Sequence, residues 1–134
     1  MSKKKKILLW ILGVLVLIFL AVQVAVKQIE SNLGALEDLE LAEIDLEKTE
    51  DGLYSGSYSA FPVEAEVQIQ LENHKIVSID LIEHKHGQGA NAEILPEIVV
   101  QAQSLDVDLV AGATYSSKVI LKAIEDGLMK AKSQ

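Results

Sequence analysis

The sequence contains no cysteine and no arginine, and each absence removes a class of function. Without cysteine the chain cannot form disulfides, ligate iron–sulfur clusters, build thiolate zinc sites, attach c-type haem or carry the acylated cysteine of a lipoprotein. Any redox chemistry must therefore come from an organic cofactor. Twelve basic residues, all lysine, stand against 20 acidic ones, a net charge of −8. This balance argues against a nucleic-acid partner, since phosphate binding depends on Lys and Arg.

Charge is distributed unevenly along the chain. Residues 3–6 and Lys27 are basic and precede the first acidic residue, Glu30. Residues 30–134 then contain 7 lysines and all 20 acidic residues, a net charge of −13. The basic beginning and the acidic remainder are therefore interpreted separately.

A long apolar run follows the first lysines. Residues 7–26 contain no charged side chain and one strongly polar one, Gln23. A helix of this length crosses the roughly 30 Å of hydrocarbon in a bilayer, so we expect a transmembrane anchor in contact with lipid. The basic residues 1–6 are expected to stay in the cytoplasm, with the C-terminal domain on the extracytoplasmic face of the cell membrane.

A cleaved secretory signal peptide is the alternative for this segment. Ala21 and Ala25 are weak cleavage positions. The apolar core of a signal peptide is usually only about 7–15 residues long, however. The length of the run favours an uncleaved single-pass anchor.

Residues 27–49 form an acidic segment in which leucine alternates with acids, and we interpret it as a spacer or frayed helix. About twenty residues reach about 30 Å if helical and about 66 Å if extended. On such a tether, the domain formed by residues 50–134 is expected to move freely above the membrane. It would meet basic partners by transient, salt-sensitive docking.

Patterns typical of β-strands follow. Residues 51–58 are rich in aromatics and glycine, and apolar residues alternate with polar ones over 63–72. Asn73-His74 is suited to a turn, because Asn tolerates left-handed backbone geometry. Residues 76–82 then predict a second half-buried strand of an antiparallel hairpin. Its expected core-facing side chains are Val77, Ile79 and Leu81.

Two helices are predicted after the strands. Residues 92–104 and 116–132 carry apolar side chains at helical spacing. Pro96 is compatible with the first of them only within its first turn. The order of elements predicts an α+β domain, an antiparallel sheet with two packed helices, preceded by one N-terminal transmembrane helix.

Residues 108–117, DLVAGATYSS, combine an apolar strand end, a glycine turn and a hydroxyl-rich entry into a helix. The first amides of a helix lack internal partners and carry the positive end of its dipole, so they can hold a phosphate. Gly112 lets the backbone come close, and Thr114 would place a hydroxyl beside that phosphate. In a simpler interpretation, Thr114 or Ser116 caps the helix and Gly112 only turns the chain.

Asp108, Gly112, Ala113 and Thr114 match a known pattern: Asp, two variable residues, Ser or Thr, then Gly-Ala-Thr. The segment resembles the flavinylation motif of the FMN-binding domain family, which includes a peripheral flavin-carrying component of sodium-pumping NADH:quinone oxidoreductase and its Rnf-complex counterpart. It departs from the pattern at Ala111, where the family usually has a hydroxyl. The likeness covers about residues 50–132.

The resemblance implies FMN as cofactor and an electron-carrying role. In such domains a flavin transferase uses FAD to join FMN to the threonine through a phosphodiester and releases AMP. Thr114 would be the acceptor, and Asp108 would place the loop or be recognised by the transferase. The other implied partner is a membrane redox protein or quinone-linked oxidoreductase. The remaining implied cofactor-binding residues are Gly112, Ala113, Tyr115, Ser116 and His84.

Other functions remain open at this point. The departure at Ala111 favours an alternative, a module that binds FMN non-covalently or serves a membrane complex structurally. His84 and His86 could ligate a metal, but two histidines rarely suffice and we predict none. Ser116 or Ser117 with His84 and Asp108 has the residue types of a hydrolytic triad, without a nucleophile-elbow sequence.

Overall fold

The computed structural model describes residues 1–132. The chain divides into two compact units, Met1–Asn32 and a second that begins at Leu33. The helices and strands are α1 (Lys3–Glu37), β1 (Gly52–Ala60), β2 (Val63–Glu72), β3 (Lys75–Lys85), α2 (Leu95–Ala102) and α3 (Thr114–Lys130), with 3-10 turns at Leu46–Lys48 and Ala90–Ile94. The predicted α+β class is confirmed.

The first unit consists of most of helix α1. Its apolar stretch is exposed in the structure and not buried against other elements. Within the described residues, α1 is the one helix long and apolar enough to cross a membrane. The apolar run is therefore present as part of one continuous helix, Lys3–Glu37.

The sheet has three antiparallel strands in the order β1-β2-β3. Alternate residues of the central strand β2 are buried, at 63, 65, 67, 69 and 71, as the period of two predicts. Asn73 and His74 both have positive φ, 52° and 62°, which is the geometry of a tight hairpin turn. The turn prediction is confirmed.

The core-facing residues predicted for β3 are wrong at one position. Ile76 is 3% exposed, whereas Val77 is 48% exposed. The register between β2 and β3 shifts after Gln70, so Ser78 pairs with Gln70 and Ile76 with Leu71. One extra residue on β3 therefore turns Val77 outward, as a β-bulge does.

Both predicted helices are present. Pro96 lies in the first turn of α2, where its missing N–H costs no hydrogen bond. Helix α3 packs on β1 and β2, and α2 packs on β3. Gly56 of β1 lies so close to α3 that a Cβ there would overlap the backbone at Ala123. The core therefore lies between one face of the sheet and the two helices.

Residues 38–48, which we call the strap, lie against α3 instead of forming a free spacer. The side chains at positions 39, 41, 44 and 46 pack on the core. The Ala42 N–H donates to Glu125 at 2.7 Å, and the Lys118 ammonium donates to the Leu39 carbonyl at 2.7 Å. The second unit therefore begins well before residue 50. Six residues, 27–32, separate it from the apolar run.

Candidate functional site

A cavity of about 220 Å³ lies at the N-terminal end of α3. Four segments meet there: the end of α1, the turn between β1 and β2, the loop after β3 and the start of α3. A larger groove of about 730 Å³, between the strap and residues 104–109, contains none of the predicted site residues. The smaller cavity is lined by Leu33, Pro62, Val63, Gly87, Gln88, Gly89, Gly112, Ala113, Thr114, Tyr115 and Ser116.

The first turn of α3 presents backbone amides that no side chain caps, within the part of the chain that the structure describes. Thr114 is the first residue of the helix and is exposed. Gly112 has φ +77°, a left-handed conformation that favours glycine, and nothing lies within 4 Å of the place of its missing Cβ. The turn therefore leaves open space beside the free amides.

The simpler interpretation, in which Thr114 or Ser116 caps α3, is wrong. The next residue stabilises the turn instead. The Ser117 hydroxyl donates to the Ala113 carbonyl at 2.7 Å and accepts from the Val110 N–H at 3.1 Å. Ser117 is fully buried, whereas the Thr114 side chain has no structural hydrogen bond among residues 1–132.

His84, at the end of β3, reaches α3 through a hydrogen-bonded chain. Its Nδ1 lies 3.0 Å from Glu93 Oε1, and its Nε2 lies 2.9 Å from Ser116 Oγ. The His84 side chain is 2% exposed, whereas that of Glu93 is 47% exposed. The acidic member of this Ser-His-acid arrangement is therefore Glu93. Within the described residues, Asp108 is not part of this hydrogen-bonded chain.

The loop after β3 closes over this chain. Gly89 packs directly against the Ser116 hydroxyl, and a Cβ at Gly89 would overlap it. The Gly89 N–H donates to His86 Nδ1 at 3.2 Å. A larger residue at position 89 would displace the Ser116 hydroxyl from its contact with His84 beside the cavity.

His84, His86 and Glu93 bring three potential metal-ligating atoms within 4.8 Å of one another. Because His86 Nδ1 accepts from Gly89, a neutral His86 ring carries its proton on Nε2, the atom 3.6 Å from Glu93. The hydrogen bonds thus place imidazole protons toward the carboxylate, where a metal ion would have to lie. This geometry favours a hydrogen-bonded network of His84, His86 and Glu93 over a metal site.

Tyr115 connects the site to the end of α1. Its hydroxyl donates to Glu37 at 3.1 Å, and this hydrogen bond, with the nearby negative charge, raises the pKa of Tyr115 above its usual value of 10.0. Its ring lines the cavity together with Leu33. The residue after Thr114 is therefore held by the acidic end of a helix.

The structure gathers most of the predicted site residues. Five of them line the cavity, and His84 lies behind Ser116. Asp108 does not join them: it is exposed on the loop before α3, outside the cavity lining. Glu93 and Gly89 were not predicted from the sequence. Glu93 is nine residues from His84 across a loop, and Gly89 is a single glycine, so neither carries a distinctive signal.

Comparisons with known proteins identify the same region. The sequence model of the FMN-binding domain family matches residues 58–129. A urocanate reductase from Eggerthella lenta is 30% identical over 78 residues, which are 56% of this chain and 13% of the reductase. The chain thus corresponds to a small part of that larger enzyme. The residues matched by the family model contain the end of β1, all of β2, β3 and α2, and all but the last residue of α3.

Proposed function

Because the chain belongs to the FMN-binding domain family, we propose that it is a membrane-anchored electron carrier with FMN attached to Thr114. FMN as cofactor follows from the family. The covalent attachment rests chiefly on one observation: Thr114 offers an exposed hydroxyl at the uncapped start of α3, beside the cavity.

The residues present suit the phosphate end of FMN. Free amides at a helix start hold phosphate, and Gly112 leaves room for the phosphate to approach them. The cavity of about 220 Å³ is below the roughly 300–1,000 Å³ of sites that enclose a whole small molecule. We infer that the cavity takes the phosphate and adjoining chain, with the isoalloxazine ring at its mouth near Tyr115.

In the attachment reaction, the Thr114 oxygen loses its proton and forms a bond to the phosphorus of the FMN half of FAD. The bond between that phosphorus and the oxygen of AMP breaks, and AMP leaves. FAD is the donor, and a flavin transferase is the proposed partner. The helix amides would hold the resulting phosphodiester anion on a domain of strongly negative charge. Once bound, FMN supplies reversible two-electron chemistry, and the chain fixes its position.

The proposed location is the extracytoplasmic face of the cell membrane. Helix α1 provides the anchor, and the lysines at 3–6 favour a cytoplasmic N-terminus. Covalent attachment suits this location, because a dissociating cofactor would be lost by dilution. The redox partner is proposed to be a quinone-linked membrane protein with a basic docking surface, since residues 30–134 carry −13.

Ala111 supports a second candidate function. It stands where the family usually has a hydroxyl, and such a group would add about 1.5–3 kcal/mol if it bonded a phosphate. A domain without it could bind FMN non-covalently, or serve a membrane complex without redox turnover. Denaturation distinguishes this candidate from the covalent carrier, because it releases a non-covalently bound flavin and leaves a covalently attached one on the chain.

The test is to produce the full chain with and without a flavin transferase, then denature it. We expect flavin fluorescence to remain with the chain only when the transferase is present. Thr114→Val, which keeps the side-chain shape, should abolish the label, and the matched Thr114→Ser should retain it. A label that persists in Thr114→Val contradicts the proposed attachment. Flavin released by denaturation from the native chain supports the non-covalent module.

A further inference from the structure

We propose that Ser116 is a ligand for the phosphate group of FMN and that the Glu93–His84 pair controls the direction of its hydroxyl. This inference deepens the proposed function, since it rests on FMN occupying the cavity at α3. It concerns recognition of the phosphate and does not depend on the covalent bond at Thr114.

The position of Ser116 carries the inference. The residue is 3% exposed, yet it lines the cavity, two positions after Thr114. Its Oγ has one side-chain partner, His84 Nε2 at 2.9 Å. Among residues 1–132, the cavity lining contains no lysine or histidine, so an anion there would be held by amides and hydroxyls. His84, directly behind Ser116, is the group able to supply positive charge.

The hydroxyl has two possible directions. When His84 is neutral, Nδ1–H donates to Glu93, so Nε2 is an acceptor and Ser116 donates its proton to it. The Ser116 oxygen then presents only lone pairs to the cavity. When His84 gains a proton from solvent, Nε2–H donates to Ser116 Oγ, and the hydroxyl proton turns into the cavity. A phosphate anion favours this second state, so FMN binding takes up a proton.

The charged groups around His84 support this exchange. Glu93, from the turn before α2, is half-exposed and connects the buried ring to solvent. The ring of His86 lies beside that of His84, with 4.4 Å between centroids. Lys85, the next residue on β3, is paired with Glu64 and Glu83. Glu93 is thus the carboxylate bonded to the His84 ring.

The experiment compares binding of FMN and riboflavin, which differ by the phosphate. Full-length chain from cells without a flavin transferase is titrated with each compound. The ratio of the riboflavin dissociation constant to the FMN one measures phosphate recognition. We expect Ser116→Ala and His84→Gln to reduce this ratio about tenfold, the effect of losing one charge-assisted hydrogen bond. Calorimetry in buffers of different ionisation enthalpy should show proton uptake with FMN that His84→Gln lacks.

Matched variants separate recognition from folding. Ser117→Ala removes the neighbouring buried hydroxyl, which bonds only to the chain, and should lower stability while preserving the ratio. His74→Gln changes an exposed histidine outside the cavity lining; it alters a contact with the Thr49 carbonyl and should leave the ratio unchanged. Glu93→Gln, at a half-exposed position, is expected to fold and to reduce the ratio.

Several outcomes overturn the inference. These are a ratio near one in the unaltered chain, no measurable FMN binding, or an unchanged ratio in both Glu93→Gln and His84→Gln. A chain that is labelled at Thr114 but does not prefer FMN over riboflavin therefore retains the proposed function and loses this inference.

Discussion

The Tyr115 hydroxyl donates a hydrogen bond of 3.1 Å to the Glu37 carboxylate and so connects the first turn of α3 to the last residue of α1. The contact joins the residue beside the proposed flavin acceptor to the helix that precedes the strap. It also makes the ionisation of Tyr115 a direct report on this junction.

We predict that Tyr115 ionises above its usual value of 10.0, because Glu37 hydrogen-bonds the neutral phenol and repels the phenolate. A raised pKa in the folded chain means that the contact stabilises the fold below about pH 10. This contribution is lost as the pH rises through the folded value. Ultraviolet titration of the native chain minus that of Tyr115→Phe isolates this group. Glu37→Gln should lower its midpoint, and an unchanged midpoint would contradict the contact.

The close packing of β1 on α3 gives a stability prediction. A Cβ at Gly56 would overlap backbone atoms at Ala123 and Gly127. We expect Gly56→Ala to lower the free energy of unfolding by about 1–3 kcal/mol or more, because backbone atoms must move apart. Urea unfolding followed by circular dichroism measures the change.

Gly34, in α1, provides the matched control for Gly56. Nothing lies within 4 Å of the place of its Cβ. Gly34→Ala should therefore leave stability unchanged or raise it by up to about 1 kcal/mol, through the better helix propensity of alanine. Equal losses in the two variants would mean that α3 does not approach β1 as closely as the structure shows.

The strap gives a third prediction, centred on Glu125. This side chain accepts from the Ala42 N–H at 2.7 Å and pairs with Lys122 at 2.9 Å, where both side chains are 15% exposed. Glu125→Ala should cost about 1–3 kcal/mol, since it leaves a backbone donor and a half-buried ammonium without their carboxylate. Glu43→Ala, an exposed acid in the strap, should change stability by less than about 0.5 kcal/mol. If the strap moved freely, Glu125→Ala and Glu43→Ala would change the free energy of unfolding by similar amounts.

The predictable parts of the fold depended on local patterns. The alternation over 63–72 specified the central strand, and Asn73-His74 specified its turn, because each signal is contained within a few residues. The motif ending at Thr114 identified the family and the entry into α3, which begins at Thr114, two residues before the predicted start. The FMN cofactor was inferred from the resemblance to the family and not from the periodicity of apolar residues.

The unpredicted parts depended on contacts between distant segments. Whether Ile76 or Val77 faces the core depends on a single extra residue in β3, which the apolar pattern does not reveal. The leucines of the strap acquire a packing role only once α3 lies beneath them. Glu93 contacts His84 because the loop between them folds back. The sequence of this loop does not indicate that the two residues meet.

The central claim is that FMN is carried on Thr114, and peptide mapping of the transferase-treated chain tests it most directly. Cleavage after Lys85 and Lys118 releases residues 86–118, which contain Thr114, Ser116 and Ser117 together. We expect fragmentation of this peptide to place a mass increase of FMN less one water on Thr114. A mass increase on Ser116 or Ser117, or an unmodified peptide after treatment with active transferase and FAD, would contradict it.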